Sequence, residues 1–114
     1  MAKLGKLDRI KRRTDIDRAF RLGQSRGDGR MRLLVVANGL DRSRLAVAAG
    51  ARHGKAVQRN RVKRLCREAF RLVRDELPGG LDYVIVPLAG RELDLAGLMA
   101  SIRQLAPRLT RGPS

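Results

Sequence analysis

"KAVQRNRVKRLCREAFRLVR" (residues 55–74) carries most of the longest helical pattern in the chain, and its two faces differ in kind. At about 100° per residue, with Val62 set at zero, Leu65, Cys66, Ala69 and Val73 fall within roughly 60° of it. That stripe faces a core, so the rest of the chain must supply a hydrophobic layer for the helix to lie on. Lys63, Arg64, Arg67, Arg71 and Arg74 spread over roughly 100–200° of the same wheel, with Arg61 on a flank near the helix start. A single acid, Glu68, stands among them. A helix that needed only solubility would interleave both signs, because like charges three or four residues apart repel. The missing negative charge must come from another molecule. Arginine predominates over lysine, and its planar fork binds phosphate oxygens bidentately and stacks on unpaired bases. Asn60, between Arg59 and Arg61, reads as the helix N-cap, a role compatible with direct ligand contact. Such a start would present backbone N–H groups to a phosphate.

Working outward, "LPGG" ends this helix, predicted over 57–76. "DYVIVPL" (82–88) is rich in β-branched residues and short enough for a buried strand. Upstream, "MRLLVVA" (31–37) and "RLAVAA" (44–49) are strand-length apolar runs separated by "NGLDRS", which predicts an antiparallel hairpin. "SRGDGR" reads as turn. "TDIDRAFRLG" predicts a short amphipathic helix with Thr14 as N-cap and Gly23 as its stop. Residues 94–109 predict a last amphipathic helix through Leu95, Leu98, Met99, Ile102, Leu105 and Leu109, with Pro107 kinking it or ending it early. Helix, strands, long helix, strand, helix amounts to an α/β (α+β) two-layer sandwich, one sheet packed against helices. A single domain over 1–114 is expected, with an ordered core of about 8–109 and a frayed tail.

Lys and Arg number 26 against 11 Asp and Glu, a formal net charge of +15. That excess exceeds what solubility calls for and points to a polyanionic partner. No apolar run approaches the roughly 20 residues that cross a bilayer, and "MAKLGKLDRIKRR" lacks a signal-peptide core. With Cys66 the single cysteine, no disulfide or thiolate metal cluster is available within the chain, and a cytoplasmic location is expected. Cys66 itself reads as a buried small hydrophobe.

"GKAVQRNRVKRLCREAFR" resembles the arginine-rich signature of the bacterial ribonuclease P protein subunit, an RNR triplet followed by K-R-x-x-R-E-x-F-R. "DRAFRLGQS", "RLAVAAGARHGKAV" and "LDYVIVP" extend the resemblance over roughly residues 8–107. It implies a four-stranded sheet in the order α-β-β-β-α-β-α, the RNR helix lying in a left-handed βαβ crossover and a fourth strand near Gln24–Arg26. Right-handed crossovers are the default, so spacing alone would not predict this one. The implied activity is removal of the 5′ leader from precursor tRNA by a catalytic RNA with Mg²⁺, which the RNA mainly binds. Arg59, Asn60, Arg61, Lys63, Arg64, Arg67 and Arg71 would dock on that RNA, and a cleft beside the first helix would hold the leader. Phe20, Ile16, Leu34 and Arg52 are the leader-facing candidates that the resemblance implies. The partners are then the catalytic RNA and precursor tRNA, with no membrane and no protein partner expected. A ribosomal or other structural RNA-binding protein fits the composition as an alternative.

The sequence departs from the family pattern in the cleft. Ile16, Met31 and Leu34 stand where an aromatic is common, so leader contacts are expected to rely on aliphatic packing and charge. From the residues themselves, Ile16, Met31 and Leu34 read first as core packing, and Phe20 equally as core or as leader-facing. Ala51 precedes Arg52 where two lysines are usual. His53 reads as a loop residue, and Asp15, Asp17 and Asp28 form no recognisable metal loop. No constellation suggests a catalytic site made of protein side chains.

Overall fold

In the structure, a computed structural model that describes residues 5, 8–90 and 92–110, the chain runs α1 (Arg13–Leu22), β1 (Gln24–Gly27), β2 (Met31–Ala37), β3 (Arg44–Val47), α2 (Ala56–Val73), β4 (Leu81–Pro87) and α3 (Leu95–Thr110). Short 3₁₀ turns occupy Ala51–His53 and Arg74–Glu76. The element order is the expected one, and the four strands form one sheet ordered β1-β2-β4-β3.

That order corrects the predicted hairpin. β2 pairs antiparallel with β4, Leu34 opposite Val84, and β3 pairs parallel with β4, Ala46 opposite Val84. β4 thus separates the two strands expected to pair. The reason lies in its composition: Asp82, Tyr83, Val84 and Ile85 are all buried, and a strand buried on both faces needs partners on both edges. The loop 38–43 crosses the start of β4, held by Asn38 N donating to Gly80 O at 3.0 Å and by Asn38 Nδ2 donating to Arg42 O at 3.1 Å. A second correction concerns "SRGDGR": Gln24–Gly27 is a strand paired to β2, where the family resemblance put it. The turn is confined to Asp28–Arg30, whose Asp28 Oδ1 accepts from the N–H groups of Arg30 and Met31 at 2.8 and 3.0 Å.

Side chains alternate across the sheet. Met31, Leu33, Val35, Leu45, Tyr83 and Ile85 face α2 and α3 and form the larger core with Phe70, Val73, Leu98 and Ile102. The Phe70 and Tyr83 rings lie 5.3 Å apart and join α2 to β4. Leu34, Val36, Ala46 and Val84 face the other way, under Ala19 of α1 and Ile10. Ile10 N donates to Leu45 O at 2.9 Å, so the segment before α1 covers the outer edge of β3.

Three helix-end expectations are corrected. α1 begins at Arg13 with Arg12 at the cap position and no side-chain cap, leaving Thr14 inside the first turn. Gly23 does close it, because a Cβ there would meet the carbonyl oxygen of Ala19. α3 runs through Pro107 to Thr110. The N–H that proline lacks would have bonded the carbonyl of Arg103, an exposed residue, so one missing backbone bond on the solvent side does not end the helix. The third, the start of α2, bears on function. Of the expected tail, residues 111–114 lie outside the described residues.

Candidate nucleic-acid interface

α2 starts four residues before Asn60, and its cap is built by backbone and amide chemistry. Gly54 turns with φ +94°, Lys55 takes the cap position, and Gln58 Oε1 accepts from Lys55 N at 2.9 Å. The positive φ favours glycine at this position, and a Cβ on Gly54 would in addition push the Gln58 amide out of its capping place. Asn60 is therefore an exposed residue of the helix body, not its cap.

Behind the helix the predicted stripe holds. Cys66, Ala69, Phe70 and Val73 are buried, and Val62 and Leu65 pack half-buried against them. Burial pushes the Cys66 thiol up to about 12, so it stays protonated and serves as a small apolar side chain. With that stripe fixed, the opposite face is held outward. Asn60, Arg61 and Arg64 are exposed, and Arg59, Lys63 and Arg67 are half-buried along the flanks.

The two halves of the basic face differ. Arg71 is engaged by Glu68 one turn before it, which raises its pKa through their hydrogen bond. Arg74 binds Asp8 Oδ1 at 2.7 Å and the Ser43 carbonyl at 3.2 Å, tying the N-terminal segment to the helix end. By contrast, among the described residues none of Arg59, Arg61, Lys63, Arg64 and Arg67 forms an ion pair with a carboxylate. Arg67 has its pKa lowered, first by burial and then by the like charge of Arg9.

On the sheet face that α1 only partly covers lies a cleft of about 560 Å³. Arg13, Ile16, Asp17 and Phe20 form one wall, Ala46–Gly50 the floor and Lys63 the other wall. Alanines at 46 and 48 leave the floor open where larger side chains would fill it. Phe20 is 51% exposed and presents its ring to this cleft. Ile16 also lines it. Leu34 does not: at 4% exposed it is sealed beneath α1 with Val36 and Val84. Met31 faces the opposite side of the sheet, in the larger core. Core packing therefore accounts for both. Arg52 is exposed on the 3₁₀ turn just past the floor. His53 Nε2 lies 2.8 Å from the Pro87 carbonyl, fastening that turn to the end of β4.

Sequence reasoning missed Lys63 as a cleft residue, because it sits on the α2 flank nearest β3 and belongs to both surfaces. It also missed the Arg13–Asp17 pair, joined at 3.2 Å across the cleft rim, although the i,i+4 spacing of opposite charges was a readable signal. Asp82, the buried residue that ties the strands near the cleft, gave no signal at all. Arg44 Nε and a terminal nitrogen bind its two oxygens at 2.8 and 2.7 Å, Asn38 donates to it at 2.9 Å, and Asp15 of α1 lies 3.7 Å from the same Arg44.

Comparison with known proteins adds an independent line. A family model described as Ribonuclease P matches residues 4–110. The ribonuclease P protein component of Thermotoga petrophila is 38% identical over 80 residues, covering 70% of this chain and 68% of that protein. Its counterpart in Clostridioides difficile is 30% identical over 101 residues, covering 87% and 89%. Among solved structures, the RNase P protein from Thermotoga maritima matches with a TM-score of 0.77 at 29% identity, over 93% of this chain and 98% of that one.

Proposed function

This chain belongs to the family of ribonuclease P protein components, and from that premise we propose that α2 docks on the catalytic RNA while the cleft holds the 5′ leader of precursor tRNA. The observation that carries this reading is the amino-terminal half of α2. Arg59, Arg61, Lys63, Arg64 and Arg67 project from a helix anchored behind by hydrocarbon, with no ion-pairing carboxylate among the described residues. Each phosphate they neutralise releases condensed counterions, so affinity should fall with salt at about 0.7–0.9 in slope per contact. Arg71 and Arg74 already have partners within the chain and contribute less.

In the cleft, Phe20 offers one ring on which a leader base can stack, and Ile16 with the alanine floor offers aliphatic surface. Lys63 supplies positive charge at the junction of the two surfaces. A leader entering between them would leave its cleavage end next to the docked RNA.

The donors present do not fit Mg²⁺. Among the described residues no three His, Cys, Asp or Glu side chains gather around one point. The carboxylates nearest the two surfaces, Asp15, Asp17 and Glu68, each face an arginine. In this reading the RNA holds the metal and carries out the hydrolysis, and the protein reduces repulsion between two polyanions. Reconstitution tests it: adding the protein to a ribonuclease P RNA should lower the Mg²⁺ needed for half-maximal precursor cleavage at near-physiological salt. An unchanged Mg²⁺ requirement would contradict it.

A further inference from the structure

Val57 is 78% exposed, and among the described residues it is the one large apolar side chain of α2 left open to solvent. It plays no part in the core: at about 100° per residue it stands roughly 140° from Val62, the middle of the buried stripe. On the same wheel Arg61 lies about 40° to one side of it and Arg64 about 20° to the other. Both are exposed, as is Asn60. An apolar residue thus stands one turn ahead of Arg61 and two turns ahead of Arg64, on the same side of the helix as these cations, which among the described residues form no ion pair with a carboxylate.

Local folding does not require valine there. The helix start is fixed by Gly54, Lys55 and Gln58, and at an exposed helical position a β-branched residue is less favourable than alanine. What valine adds is a stiff hydrocarbon surface, with one dominant χ1 rotamer and little entropy left to lose on contact. Charge decides what it meets. A strand whose phosphates follow Arg64 and Arg61 along the helix brings its next sugar and base onto Val57, whereas a protein partner apolar at this spot would have to bury the neighbouring Arg61 guanidinium group.

We propose that Val57 packs against the ribose and base of a nucleotide in the catalytic RNA, supplying a salt-independent, shape-dependent part of docking that the arginines do not. The proposal rests on α2 being the RNA-docking surface, and its test separates the two claims. Binding to a transcribed bacterial ribonuclease P RNA is measured against salt concentration for the wild-type protein, Val57→Ala, Val57→Thr, Val57→Ile and Arg61→Ala. Val57→Ala and Val57→Thr should bind roughly five- to tenfold more weakly, the scale of one or two methyl groups withdrawn from contact. Their salt slope should match that of the wild type. Val57→Ile should keep wild-type affinity. Thermal unfolding of Val57→Ala should be unchanged or higher, since alanine is the better helix former. Arg61→Ala should instead flatten the slope.

Wild-type affinity for Val57→Ala beside a weakened Arg61→Ala would overturn the Val57 contact and leave the docking surface standing. Wild-type affinity for both would overturn the docking surface as well. A loss in Val57→Ala accompanied by a flatter slope would also overturn the proposal, because it would mean that displaced cations, and not lost hydrocarbon contact, caused it.

Discussion

A carboxylate as deeply buried as that of Asp82 has to be answered within the fold, and Arg44 answers it from the neighbouring strand with both ends of its guanidinium fork. Their hydrogen bond, opposed by burial, raises the Arg44 pKa. Removing one partner of such a pair typically costs about 3–5 kcal/mol, because the other charge stays behind in the interior. From the sequence, Asp82 read as the polar first residue of a strand, since nothing local distinguishes a buried acid from an exposed one. Phe20 is the opposite case, a hydrophobe that the fold leaves open. Phe20→Ala should leave stability nearly unchanged but remove one stacking surface, worth about 1–3 kcal/mol per base. The preference for precursor over mature tRNA should shrink by a corresponding factor in equilibrium binding. An undiminished preference would remove Phe20 from the leader path. Of the residues expected in that path, Ile16 could be placed from the helical period of α1, whereas Leu34 could not. One residue more or less in strand register exchanges the faces of a sheet, and only the observed pairing with Val84 shows Leu34 beneath α1.

At the scale of elements, α2 was legible because two independent patterns, apolar and cationic, agree on its orientation. Its start was not. Asn60 is a good cap by composition, yet the cap observed depends on a glycine with positive φ and a glutamine three residues past the cap position. Gly54→Ala should cost about 1–3 kcal/mol, from backbone strain and the displaced Gln58 side chain, and lower the thermal midpoint by several degrees. An unchanged midpoint would mean that the helix start can re-form elsewhere. The β2–β3 hairpin failed for a related reason: a short polar loop between apolar runs satisfies local rules, while the partner that wins, β4, lies more than thirty residues further on. Residue pattern read β1 as turn, and only the family resemblance placed a strand there, because all four of its residues are exposed: it carries no apolar alternation and is held by backbone pairing to β2.

The segment before α1 makes its own pH prediction. Hydrogen bonding to Arg74, partly opposed by burial, lowers the Asp8 pKa below 3.8. A carboxylate depressed in the folded state binds fewer protons there than when unfolded. Its stabilisation is therefore present above pH 3.8 and lost as the pH falls through the folded value. Protection of the Ile10 amide, which donates to Leu45 O, should drop over that acid range and become insensitive to it in Asp8→Asn. Equal pH dependence in the two proteins would mean that Asp8 does not fasten the segment.

For the whole molecule, the net charge of +15 indicates a polyanionic partner but not where it binds. The fold supplies the location by dividing its arginines. Some are consumed internally, by Asp82, Glu68, Asp8 and Glu76. Those at the start of α2 are turned outward, and among the described residues none of them pairs with a carboxylate. The helical wheel put Arg71 and Arg74 on the same basic face as Arg64; the pairing of Arg74 with Asp8 was not readable there, because it depends on a residue 66 positions away. The most direct test of the account is the salt dependence of binding between this protein and a ribonuclease P RNA, measured for the wild type and for Arg61→Ala/Arg64→Ala. Loss of two phosphate contacts should weaken binding and reduce the slope of log affinity against log salt by roughly 1.4–1.8. If the double variant binds with wild-type affinity and wild-type slope, the outward face of α2 is not where the RNA sits.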